Sequence, residues 1–246
     1  MFRWVGAWSL VLVAAGWEVS VVSAAPDLET IIARVLEKDA EVNRKKAEYQ
    51  FDLTLTNAKL NPDNSVAREE VVQATIRTGP GGAFQEIVGR ANEVGEEVPA
   101  VDRKEIGRSQ AAMRSMDLKK LAPRFNIRLE GEGRERGVDC WILGFTPKED
   151  QPYRSREEKV INRLAGRFWV SKADYSIIRS AGVLTEPVPV AWVLATVREL
   201  EFEYRTRPLA GVGRVPEEFA LLFHVQTPLN AVRRRQLSAM SNYRKM

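Results

Sequence analysis

Gly166-Arg167-Phe168-Trp169-Val170-Ser171-Lys172-Ala173-Asp174-Tyr175-Ser176-Ile177-Ile178-Arg179 is the stretch that decides how this chain is read. Two short runs rich in β-branched and aromatic residues, Arg167 to Ser171 and Ser176 to Leu184, flank the polar Lys172-Ala173-Asp174, which predicts a hairpin. Downstream the pattern lengthens. Val190 to Arg205 carries Trp192, Leu194, Leu200, Phe202 and Tyr204 on one face, interrupted by Thr196 and Arg198. A single strand of that length would span about 50 Å, so a bulge or strong coiling is expected near Thr196. Phe219, Leu221, Phe223 and Val225 alternate in another strand, and Val232 to Tyr243 reads as the last.

Upstream of the hairpin, Val138 to Thr146 is a strand with Trp141, Leu143 and Phe145 on one face, preceded by the alternation of Phe125, Ile127 and Leu129 and a bend marked by Gly131 and Gly133. Pro147 to Pro152 is a charged loop, and Ser155 opens one or two helical turns expected to close at Gly166. From Asn92 to Ala122 alternation fades, and Met113, Met116, Leu118 and Leu121 suggest a helical insertion ended by Pro123. The first third reads as a helix and a meander. Leu28, Ile31, Ile32, Val35 and Leu36 follow Asp27 at helical spacing, with Asn43 to Lys46 as the polar end. Tyr49, Phe51, Leu53 and Leu55 then alternate, Asn61-Pro62-Asp63-Asn64 turns, Val66 to Thr78 returns, and Gly79-Pro80-Gly81-Gly82 leads to a weaker strand from Ala83 to Ala91.

This is an α+β chain of mainly antiparallel β-structure. The helical segments are too few to cover a flat sheet carrying Trp141, Phe145, Trp169, Trp192, Phe202, Phe219 and Phe223. A strongly curved sheet wrapping its own helices fits that ratio better than a sandwich. With 44% hydrophobic and 28% charged residues the chain is of the globular type. No repeat or linker divides it, so one domain over residues 25–246 is the economical division.

Residues 1–24 read as a signal peptide: Arg3 supplies a positive start, Trp4 to Gly16 an apolar run too short to span a bilayer, and Val22-Ser23-Ala24 a cleavage site with the cut after Ala24. Cleavage removes Arg3 and Glu18 and leaves the formal charge at +4, too small a surplus for nucleic-acid binding. The implied location is the periplasm, with no membrane span after cleavage.

Little here supports catalysis. The chain has one cysteine and one histidine, short of a structural zinc set and of any intrachain disulfide. His224 falls on the strand face opposite Phe219, Leu221 and Phe223, without a Gly-x-Ser-x-Gly turn to present a serine. Cys140, before Trp141 in a strand, reads as a small core residue. The adjacent acids Glu96-Glu97, Glu157-Glu158 and Glu217-Glu218 leave a hydrolase as the third reading, with solvated charge the usual explanation. Arg233-Arg234-Arg235 and Arg244-Lys245 could touch anionic lipid, but beside Gln236, Ser238 and Ser241 they read rather as the wet face of an edge strand. No catalytic residue, metal or cofactor is expected.

In element order, and in the hairpin from Gly166 to Arg179, the chain resembles the outer-membrane lipoprotein-sorting family, the LolA/LolB-like carriers with the related N-terminal domain of RseB-type regulators. The hairpin resembles that family's "lWid..t..pvr" stretch. The resemblance implies an unclosed, strongly curved antiparallel barrel with helices as a lid over an apolar cavity. It implies as partners a lipid or the acylated end of a lipoprotein, or, for a sensor module on the same fold, an envelope protein; a monomer is expected. Trp141, Phe145, Trp169, Trp192, Phe202, Phe219 and Phe223 are then candidates to line the cavity, or else they fill a core. For the basic residue that ties lid to barrel in LolA no counterpart is located, Arg179 standing only as a guess by position.

Overall fold

A computed structural model describes residues 26–78, 85–92, 118–190 and 195–246. The signal-peptide segment, the turn at 79–82, Glu96, Glu97, Met113, Met116 and Trp192 lie outside the described residues, as does most of the helical insertion.

The chain begins with α1 (Leu28–Lys46), whose start is fixed by Asp27: its carboxylate accepts a hydrogen bond from the Thr30 amide at 2.7 Å. That bond holds the Asp27 carboxyl below its ordinary range. Glu29 in the first turn and Arg44, Lys45 and Lys46 in the last suit the helix dipole. The strands follow: β1 (Tyr49–Leu60), β2 (Val66–Thr78), β3 (Gln85–Asn92), β4 (Phe125–Glu135), β5 (Val138–Pro147), β6 (Leu164–Ser171), β7 (Ile177–Leu184), β8 (Val188–Pro189), β9 (Thr196–Leu209), β10 (Gly213–Gln226) and β11 (Ala231–Lys245). Before β4 come a short α2 (Leu118–Leu121) and a 3-10 turn (Ala122–Arg124); between β5 and β6 lies α3 (Arg156–Ile161), capped by Ser155.

All strands join one antiparallel sheet in the order β3-β2-β1-β11-β10-β9-β7-β6-β5-β4, with the short β8 beside β9. The sheet does not close: among the described residues β3 and β4 remain its two edges. The antiparallel, incomplete-barrel expectation therefore holds, and four local expectations change. The chain does not turn at Gly131 and Gly133; β4 runs on through a bulge between Leu129 and Gly131, and the turn is Arg136-Gly137, both at positive φ (51° and 82°), the two-residue hairpin geometry that matches strand twist. Gly166 lies inside β6 and ends no helix. The stretch from Val190 to Arg205 is not one bulged strand, because Val188 and Pro189 pair with Val197 and Thr196 and the chain reverses between them. Nor is β11 an edge, being hydrogen-bonded to β1 on one side and β10 on the other.

Register assigns the faces. Leu143 stands opposite Phe168, Phe168 opposite Ser180, Ser180 opposite Tyr204, Tyr204 opposite Phe219, and Phe219 opposite Ser238, which faces Leu55. This line marks the helix-bearing face. On it Ile31 and Val35 of α1 pack with Trp141, Leu143 and Val170, while Val42 packs with Val212 and Val215. A third cluster, Phe125, Phe145 and Ile161, is joined by Leu121, Leu164, Phe168 and Phe202. Phe145 meets Phe168 with ring centroids 4.8 Å apart and Phe125 at 5.2 Å. Gly166 and Gly182 stand opposite each other beneath these rings. A Cβ on Gly182 would lie 2.7 Å from Phe202 Cε1, so the glycine pair makes the room the aromatics occupy.

Candidate functional site: the uncovered part of the helix-bearing face

Among the described residues the sheet is wider than its helices. Beyond α1, the same face continues across β9, β10, β11 and β1 with Leu200, Phe202, Phe219, Leu221, Phe223, Met240, Leu53 and Leu55, all half-buried. Of these only Phe202 joins one of the three buried clusters. Alternation puts them there, since each strand turns every second side chain to one face. Contiguous half-exposed apolar surface of this kind marks a binding face more often than scattered single residues do.

Of the seven aromatics singled out by sequence, the six described ones divide three ways. Phe202, Phe219 and Phe223 stand together on this half-buried face, Phe202 opposite Leu221 and Phe223 opposite Leu200. Trp141 and Phe145 are core, buried under α1 and α3 at 5% and 4% exposure. Trp169 is on the opposite face, its phase in β6 alternating with Phe168 and Val170, and the Arg179 guanidinium lies 4.5 Å from its ring centroid. Trp192 lies outside the described residues. Leu200 and Leu221 belong to the face and were not singled out; the alternation already carried the signal, but aromatic bulk drew attention from it.

Between α1 and the sheet is a pocket of about 50 Å³, with Val35, Lys38 and Asp39 on the helix side and Tyr204, Thr206 and Arg214 on the sheet side. It has room for a few water molecules and is far too small for an acyl chain. Arg214 Nε donates to Thr206 Oγ1 at 3.0 Å, and Thr206 Oγ1 donates to the Ile177 carbonyl at 2.7 Å. Burial lowers the Arg214 pKa and raises that of the Tyr204 hydroxyl. Arg214 is thus the arginine beneath α1. Arg179, the positional guess, points away from the helix: it pairs with Glu203 at 2.6 Å and Glu135 at 3.6 Å across the outer face.

The groups weighed for chemistry are engaged structurally. His224 stands in register with Arg233 and Glu199, which pair with each other at 2.7 Å. Cys140 is fully buried, and burial pushes its thiol pKa up, the opposite of an activated thiolate. Glu158 pairs with Arg124, Glu217 with Arg136, and Glu218 with Arg205. Among the described residues no three metal-ligating side chains cluster, and no helix is long and apolar enough to cross a membrane.

No protein-family model matches the chain, and no curated protein sequence does. Solved structures similar to it include a DUF1329-family protein of Desulfovibrio piger, at 13% identity over 88% of this chain and 92% of that one, with a TM-score of 0.42. A LolA-superfamily protein of Nitrosomonas europaea is 12% identical over 87% and 93%, with a TM-score of 0.39. MucB of Pseudomonas aeruginosa, solved in complex with MucA, is 12% identical over 87% and 98%, with a TM-score of 0.32. These names include the group the sequence resembles.

Proposed function

We propose that this protein is an exported, non-enzymatic binding protein of the periplasm that holds a lipid, or the acyl chain of a lipoprotein, on the uncovered part of the helix-bearing face. The observation that carries the reading is the run of half-buried apolar side chains from Leu200 and Phe202 through Phe219, Leu221 and Phe223 to Leu53 and Leu55. An apolar chain lying there removes surface from water at about 25 cal/mol per Å² and needs no reactive group.

Mass spectrometry of organic extracts from protein purified out of the cell envelope tests the reading, together with displacement of a fluorescent fatty acid. Lipid is expected to co-purify and to be lost in Phe223→Asp and Leu221→Asp variants, which place a carboxylate in the middle of the face. If no lipid co-purifies and no fluorescent fatty acid binds the wild-type protein, the reading fails. Cross-linking to one partner protein with no lipid bound would turn it towards a polypeptide-binding module.

A further inference from the structure

Register lines up three cations at the border of the apolar face. Lys59 on β1 stands directly opposite Arg68 on β2 and directly opposite Arg234 on β11. Arg234 in turn stands opposite Phe223, and Phe223 opposite Leu200. One line across five strands therefore runs Arg68, Lys59, Arg234, Phe223, Leu200, cationic at one end and apolar at the other. All three cations are exposed, and none makes an ion pair within 4.0 Å among the described residues. Glu70, one line further in on β2, stands opposite Asn57 and does not pair with Arg68. On the opposite face of β11, by contrast, Arg233 is paired with Glu199 and Arg244 with Asp52, at 2.7 and 2.6 Å.

Like charges set directly opposite one another in a sheet lower its stability, so this line is unfavourable to the fold by itself. Adjacent strands lie about 4.8 Å apart, which spreads the three cations over about 10 Å and puts the apolar end about 19 Å from Arg68. An anion seated on the line removes the repulsion. A carboxylate presents its acceptor oxygens in one plane, whereas a phosphate presents acceptor oxygens around a tetrahedral centre that cations on neighbouring strands can reach together, in the geometry that guanidinium groups bind. Resting on the binding function proposed above, we propose that the ligand is an anionic phospholipid, its phosphate against Arg234, Lys59 and Arg68 and its acyl chain on Phe223, Leu221 and Leu200.

The test is calorimetric titration of the full chain with lysophosphatidylglycerol and, separately, lysophosphatidylcholine of equal chain length, both below their critical micelle concentrations. The anionic lipid is expected to bind more tightly. Lys59→Gln and Arg234→Gln are each expected to weaken it about fivefold and to narrow its advantage over the zwitterionic lipid. Because the substitutions relieve repulsion, the Lys59→Gln protein is expected to melt no lower than wild type. Equal affinity for the two lipids overturns the proposal and leaves the apolar-face reading standing, and so does competition by inorganic phosphate at the lipid's own concentration. A lower melting temperature in Lys59→Gln contradicts the uncompensated charge line. Failure of both lipids to bind wild type sinks the apolar-face reading itself.

Discussion

Lys46 closes α1 on the stripe that carries Val42, four residues earlier, and is buried at 8% exposure with its ammonium donating to Asn43 Oδ1 at 3.1 Å. Burial lowers its pKa from 10.5, an effect the Asp39 carboxylate opposes. Charged in the unfolded chain and hard to charge in the folded one, it destabilises the fold below its folded pKa, and that cost is relieved as pH rises from there to 10.5. Lys46→Met is therefore expected to raise stability near pH 7 by about 1 kcal/mol, an advantage that shrinks as pH approaches 10.5. Thermal melts of both proteins across that range check it; a less stable Met variant would mean that Lys46 balances Asp39 more than it is penalised by burial. Sequence read Lys46 as part of a solvated helix end. Its charge suggested water, while its place one turn beyond Val42 decided otherwise, and only packing reveals which of the two governs.

At the scale of elements, hairpins were legible and their neighbours were not. The alternation and turn residues placed the β6–β7 hairpin, β2 and β11 nearly at their observed bounds but caught only the later half of β10, because those signals are local. Gly166 was misread for the complementary reason: its role comes from Gly182 on the next strand and from the ring of Phe145, neither of which local sequence pairs with it. A Cβ at residue 182 would lie 2.7 Å from Phe202 Cε1 and 2.8 Å from the Ala165 carbonyl oxygen, which is backbone and cannot step aside. Gly182→Ala is accordingly expected to cost about 1 to 3 kcal/mol in denaturant midpoint measurements. Gly144→Ala, whose Cβ would meet only the flexible Glu130 side chain, serves as the control and should be close to neutral. Equal tolerance at both positions would mean that Phe202 is not held against the glycine pair.

For the molecule as a whole, amphipathic strands and scarce helices foretold a strongly curved antiparallel sheet wrapping its own helices. Of the candidate face, Phe202, Phe219 and Phe223 could be named from sequence, but separating them from Trp141, Phe145 and Trp169 required knowing which strands lie beneath α1 and which face each residue takes. The cationic line could not be seen whole, since Arg68 and Lys59 meet across the β1–β2 pair but Arg234 joins them only through β11. That strand also governs how the molecule forms. It pairs Tyr49 with Lys245 and Leu60 with Arg233, so β1, β2 and β3 join the rest of the sheet only through the last strand of the chain. Contacts so distant in sequence make folding slow. Refolding from denaturant, followed by tryptophan fluorescence and far-ultraviolet dichroism, is expected on the scale of milliseconds to seconds or longer, and a chain ending at Asn230 should leave β1 to β3 unprotected in hydrogen exchange while β4 to β7 retain protection. A ribosome emitting this polypeptide therefore cannot complete the sheet until β11 has left it, long after β1 has emerged and waited without its partner.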